Sequence, residues 1–177
     1  MANIDAPRGL VPHNGDNGNA PRMRLMKAGT TTSIGRGDIV ALAANGRVHR
    51  IATTTGSAAI VGVAANYVAA PAAGVTTPPD VWVYDDPHQT FVIQDDGEAA
   101  TPAQSSVGST FAMILGTPNT TTGSSIQEID ASATGVATTD PLVVMGFLEG
   151  PGHEIGKYAK HLVMLNRHIY RHRSAGI

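Results

Sequence analysis

His153-Glu154-Ile155-Gly156-Lys157 opens like the helix of a zinc protease. That motif needs a second histidine four residues after the first, so that both imidazoles share one helix face. Position 157 is lysine and Gly156 weakens a helix, so no metal is expected there. His168 and His172 do have the i, i+4 spacing. Arg167, Arg171 and Arg173 surround them, and nearby cations oppose a bound cation, so the segment reads as a basic tail. Asp85-Asp86 and Asp95-Asp96 flank one apolar run. Paired carboxylates can hold calcium or move protons. Here the calcium-loop spacing is absent, and the pairs sit beside Pro87 and Gly97, which makes them turn acids on a solvated rim. Trp82 with Asp85 or Asp95 is the one grouping with the parts of a glycosidase site, an aromatic platform beside acids. Arg36-Gly37-Asp38 spells an adhesion tripeptide but leads into an apolar strand, so it reads as a turn in which Gly35 and Gly37 supply positive φ. No serine lies in a nucleophile elbow, and no glycine-rich loop opens a helix as phosphate binding requires. The chain has no cysteine, which excludes disulfides, thiolate zinc sites and cysteine nucleophiles. The expectation is therefore a non-enzyme with no catalytic, cofactor-binding or metal-ligating residue.

The elements around these residues are short. Asp38–Ala43 and Arg47–Ala52 alternate as strands, with Asn45-Gly46 between them as a type I′ hairpin turn. Residues 59–64 form a continuous apolar strand in which Gly62 signals a bulge or a close backbone approach. Residues 81–84 and 90–94 are aromatic-bearing strands expected to anchor the core. Further strands are read at 23–27, 110–115, 125–130, 142–148 and 162–166, and residues 154–161 are the one stretch able to make a helix. About ten short strands at this spacing predict an all-β fold, a small β-barrel or sandwich. Residues 1–22, broken by Pro7, Pro12 and Pro21, read as an extended N-terminal arm, disordered or ordering on a partner. Residues 23–177 then form a single β domain that ends in the basic tail.

Charge is segregated along the chain. Residues 51–156 contain no lysine or arginine and eleven acids, whereas the flanks hold all twelve cations against Asp5, Asp16 and Asp38, a net of +9. An acidic body disfavours nucleic acid, and the tail alone lacks a basic stripe with interleaved aromatics. No apolar run approaches the ~20 residues of a membrane span, and Met1–Pro7 lacks the apolar core of a signal peptide. A soluble product of the cytoplasm is expected.

Several segments together resemble a known family. The opening Met-Ala-Asn-Ile-Asp-Ala-Pro-Arg-Gly-Leu-Val-Pro, then Gly37-Asp38-Ile39-Val40, Asn45-Gly46-Arg47-Val48 and Ile60-Val61-Gly62-Val63 are similar to capsid decoration (cement, or head-stabilising) proteins of tailed bacteriophages. Val83-Tyr84-Asp85-Asp86-Pro87 with Phe91-Val92-Ile93-Gln94, and 142–148 followed by 163–168, resemble their later segments. The resemblance implies a β-tulip-like module on the outer surface of the mature capsid. It would stabilise the shell across capsomer junctions as a homotrimer or dimer, with the major capsid protein and its own copies as partners. It would be made in the host cytoplasm and end on the virion exterior. The arm would add to an exposed capsid sheet edge, and the acidic middle would face solvent. Arg8, Arg22, Arg24, Arg47, Arg50, Arg167 and Arg171 are the cations expected to meet capsid carboxylates. A receptor-binding or adhesion module of a phage tail or fibre is the alternative.

Overall fold

The computed structural model describes residues 3–13, 20–29, 31–52, 59–72, 75, 77–98, 103–135, 139–148, 150–151 and 153–171, with 133–135 described in backbone only. Eleven strands run in the order β1 (Val11–Pro12), β2 (Met23–Lys27), β3 (Ile39–Leu42), β4 (Val48–Arg50), β5 (Ile60–Ala64), β6 (Asp80–Tyr84), β7 (Thr90–Gln94), β8 (Thr110–Ile114), β9 (Glu128–Gly135), β10 (Leu142–Phe147) and β11 (Lys160–Leu165). They form two antiparallel sheets, β1-β7-β11-β10-β8-β9 and β2-β6-β5-β3-β4. The expected all-β fold is present as a sandwich-like pair of sheets, neither closed into a barrel. The stretch 154–161 is not helical: Gly156 and Tyr158 take positive φ, and β11 begins at Lys160.

Strand alternation explains the two cores. Ile39 and Ala41 of β3 face the other sheet and pack with Phe91, Ile93, Phe111, Met113, Leu142 and Val163. Val40 faces the opposite way and packs with Val48, Val61, Val81 and Val83. Each of these Val, Leu, Ile, Phe and Met side chains contributes about 1.5–3 kcal/mol on burial. The five-stranded sheet is thus apolar on both faces, and it curls so that its two edges meet. Ala28, one residue past β2, bridges Val48 of β4, and Gly29 N–H donates to the Val48 carbonyl at 2.6 Å. The concave face holds the second core. At its β2–β6 edge the convex face runs beyond the cover of the other sheet, leaving Met23, Leu25 and Trp82 about half exposed. Trp82 therefore does not anchor the core as its sequence context suggested; Phe91 does, with Tyr84 edge-on to it.

Two local expectations acquire geometry. Gly62 sits at a bulge, where Val40 and Ala41 pair with Gly62 and Ile60, and a Cβ there would collide with the Tyr84 carbonyl. The β3–β4 turn is one residue longer than a type I′ turn. Gly46 N–H donates to Ala43 O, Ala43 N–H donates to Arg47 O, and Gly46 alone takes positive φ. That is a type I turn closed by a glycine bulge.

The N-terminal segment belongs to the fold over residues 3–13. Leu10 is buried in the inter-sheet core, and Val11 and Pro12 pair with Val92 and Phe91. Asn3 Nδ2 donates to the Glu154 and Lys157 carbonyls, and Gln94 holds Ala6 N–H and Ile4 O. Three prolines broke the pattern from which a strand would have been read. The expected flexible turn at 14–19 lies outside the described residues.

Candidate functional site

The arginines fall into two groups set by strand direction. Arg22 and Arg24 enter β2 beside Asp85, just past β6. Arg22 Nε lies 2.9 Å from Asp85 Oδ1, Arg22 Nη2 donates to the Asp85 carbonyl at 3.0 Å, and Arg24 Nε lies 2.8 Å from Oδ2. Arg24 also sits over the Tyr170 ring, 5.5 Å from its centroid. Residues 168–170 reach this point because Ile169 N–H donates to Ile60 O at 2.8 Å, at the start of β5. Arg47 leaves the β3–β4 turn, which projects from this same end of the curled sheet. Arg22, Arg24, Arg47, Arg167 and Arg171 therefore share one end. Arg8 and Arg50 lie at the other: the Arg8 carbonyl is close to Gly37, and Arg50 donates to the Gly116 carbonyl.

Asp85 is fully buried and not a rim acid. Two half-exposed guanidiniums neutralise it, which makes burial of a carboxylate tolerable. Asp95 is equally buried. Its Oδ1 accepts from Gly97 and Tyr158 N–H, and its Oδ2 from Ala159 N–H and the His161 Nε2 at 2.9 Å. It cross-links the end of β7 to the start of β11 and presents no oxygen to a substrate. Both acids are buried where the sequence predicts a solvated rim, and for one reason: their partners lie about 63 residues away in sequence. Trp82 projects from the convex face while Asp85 lies under arginines on the concave one, so no glycosidase grouping forms.

Asp38 of the adhesion tripeptide is buried, with Oδ2 accepting Gly35 N–H at 2.6 Å. Burial raises its pKa, opposed by Ser125, the Gly35 amide and Arg50. A carboxylate inside the fold is not available to a receptor. His168 is buried with Nδ1 accepting Tyr170 N–H, and burial lowers its pKa to about 4. His172, its expected metal partner, lies outside the described residues. Among those described, no cluster of three metal-ligating side chains occurs.

Sequence reading missed two features. Glu128, opening β9, has Oε1 buried without a hydrogen-bond partner. Burial first, then the charges of Asp5, Asp96 and Asp95, push it up to about 7. The second is a groove of about 610 Å³ on the outer face of the six-stranded sheet. Residues 3–13 wall one side of it, Leu148, His153 and Tyr158 another, and Val92, Gln94 and Lys160 form its base. Lys160 and Gln94 are cross-strand partners pointing away from the core. A basic residue from the start of the chain and another from its last strand meet there, a juxtaposition invisible before the topology is known.

Comparison with protein-family models, with curated proteins and with solved structures finds no match to this chain.

Proposed function

We propose that this protein is a non-enzymatic capsid decoration protein of a tailed bacteriophage. It would bind the outer surface of the mature shell, contact the major capsid protein and stabilise the junctions between capsomers. The observation that carries the reading is the gathering of Arg22, Arg24, Arg47, Arg167 and Arg171 at one end of the curled sheet. Arg22 and Arg24 are already engaged with Asp85, so Arg47, Arg167 and Arg171 are the cations left to meet shell carboxylates. Such contacts set orientation and encounter rate more than affinity. The sequence resemblance supports the same reading: its segments at 45–48, 37–40, 60–63 and 83–87 fall on or beside the neighbouring strands β4, β3, β5 and β6 of one sheet, and the opening and 91–94 fall on the paired strands β1 and β7 of the other.

Self-association, as a trimer or dimer, would multiply weak individual contacts by effective concentration. The half-exposed patch of Met23, Leu25 and Trp82 supplies an apolar surface for it. Residues 3–13 contribute by completing the module, since Leu10 and β1 are committed to its own core and sheet.

The test mixes purified protein with expanded, undecorated capsids and images the particles. Ordered density at fixed lattice positions is expected, weakened by Arg47→Glu with Arg171→Glu and by added salt. Absent or random binding overturns the proposal. Deletion of residues 1–22 is a poor substitute, because it removes Leu10 from the core.

A further inference from the structure

The groove on the six-stranded sheet has a chemistry of its own. Arg8 and Lys160 line it, with the imidazoles of His13 and His153, and no acidic residue is among the described residues that line it. Neither Arg8 nor Lys160 has a salt bridge among the described residues. Asp5 does not contradict this. Ile4 and Ala6 line the groove, while Asp5 between them lies on the side of Glu128, whose proton affinity it raises. The remaining lining is apolar or neutral, with Ile4, Val11, Val92 and Leu148.

The wall built by residues 3–9 is held unusually. It is not laddered to β7; the Gln94 side chain grips Ala6 N–H and Ile4 O, and pairing begins only at Val11. Polar side chains at a few points thus hold open a slot between this segment and the sheet surface. Its volume lies within the ~300–1,000 Å³ of ligand-binding clefts. Two cations with no salt bridge among the described residues, beside apolar walls, match a chain that offers carboxylates and aliphatic groups in alternation, since an extended strand sends successive side chains to opposite sides. A single-stranded nucleic acid would need aromatic faces for its bases. Tyr158, the one phenylalanine, tyrosine or tryptophan among the described lining residues, is packed over Gly97.

We propose that this groove docks an extended acidic and aliphatic peptide segment of a partner protein, with Arg8 and Lys160 pairing its carboxylates. The proposal does not depend on the partner being a viral shell, and its site is separate from the basic end formed by Arg47, Arg167 and Arg171.

Fluorescence anisotropy with the full chain tests it. The probe is a labelled eight-residue peptide alternating Glu and Val, compared with its Gln and Val counterpart. The Glu peptide is expected to bind at least about tenfold more tightly than the Gln peptide, and to weaken as salt rises. Arg8→Glu with Lys160→Glu should remove that preference, whereas Arg47→Glu should leave it intact. Equal affinity for the two peptides overturns the proposal, as does undiminished binding by the double variant or no saturable binding of the Glu peptide. The peptide comparison uses the natural chain, so it decides even where the double variant fails to fold. Inorganic tripolyphosphate is the competitor: displacement of the Glu peptide at equal concentration would assign the groove to phosphate anions and overturn the peptide reading.

Discussion

Glu128→Gln should stabilise this protein above neutral pH and leave it unchanged in acid. In the fold Glu128 binds its proton up to about pH 7, against an ordinary value of 4.5. Between those limits the folded chain holds a proton that the unfolded chain has released. Stability therefore falls as pH rises from about 4.5 to about 7, then levels. At ~1.4 kcal/mol per tenfold change in proton affinity, the full displacement corresponds to roughly 3 kcal/mol. Glu128 is only partly buried, and solvent screening reduces this to on the order of 1–2 kcal/mol. Glutamine keeps the shape and the neutral state, so the variant should gain that amount at pH 8 and nothing at pH 4.5. Urea unfolding followed by far-UV circular dichroism, in steps from pH 4.5 to 8 on both proteins, measures the difference directly. A difference that does not change with pH would refute the reasoning, and so would a variant less stable than the parent at pH 8. Asp5→Asn should reproduce part of the gain through the charge it removes.

Gly62→Ala should cost about 3 kcal/mol or more, or abolish soluble expression, because its Cβ meets the Tyr84 carbonyl; denaturation midpoint and soluble yield report it. Leu10→Ala should cost roughly 2–5 kcal/mol in urea unfolding, a core penalty that a free arm would not show. Asp85→Asn should cost on the order of 1–2 kcal/mol, limited by the half exposure of both arginines. A double-mutant cycle with Arg22→Gln should return a non-zero coupling for that pair.

Local chemistry was legible and distant pairing was not. The β3–β4 hairpin and the Gly62 bulge follow from neighbouring residues, and both were readable, although the turn gained one residue. Asp85 and Asp95 looked like surface turn acids because nothing beside them announces Arg22, Arg24 or the 158–161 segment as partners. Val11-Pro12 carries no periodicity long enough to register as a strand; its place is set by the edge of β7. Trp82 alternates correctly along β6, but its exposure depends on how far the facing sheet extends. The shared end of Arg22, Arg47 and Arg167 and the meeting of Arg8 with Lys160 needed the strand order itself.

That strand order also constrains how the molecule can be made. β11 lies between β7 and β10, in the interior of the six-stranded sheet, although it follows both of them in the chain. Until residue 165 has left the ribosome, β7 and β10 have no strand to join them. Phe91 and Leu142 then lack part of their cover. The growing chain must carry unpaired strand edges until β11 is made, a state prone to association with other chains. Its acidic, lysine- and arginine-free middle is the stretch exposed for that interval. Repulsion among like-charged nascent chains would keep it dispersed until the final strand closes the sheet.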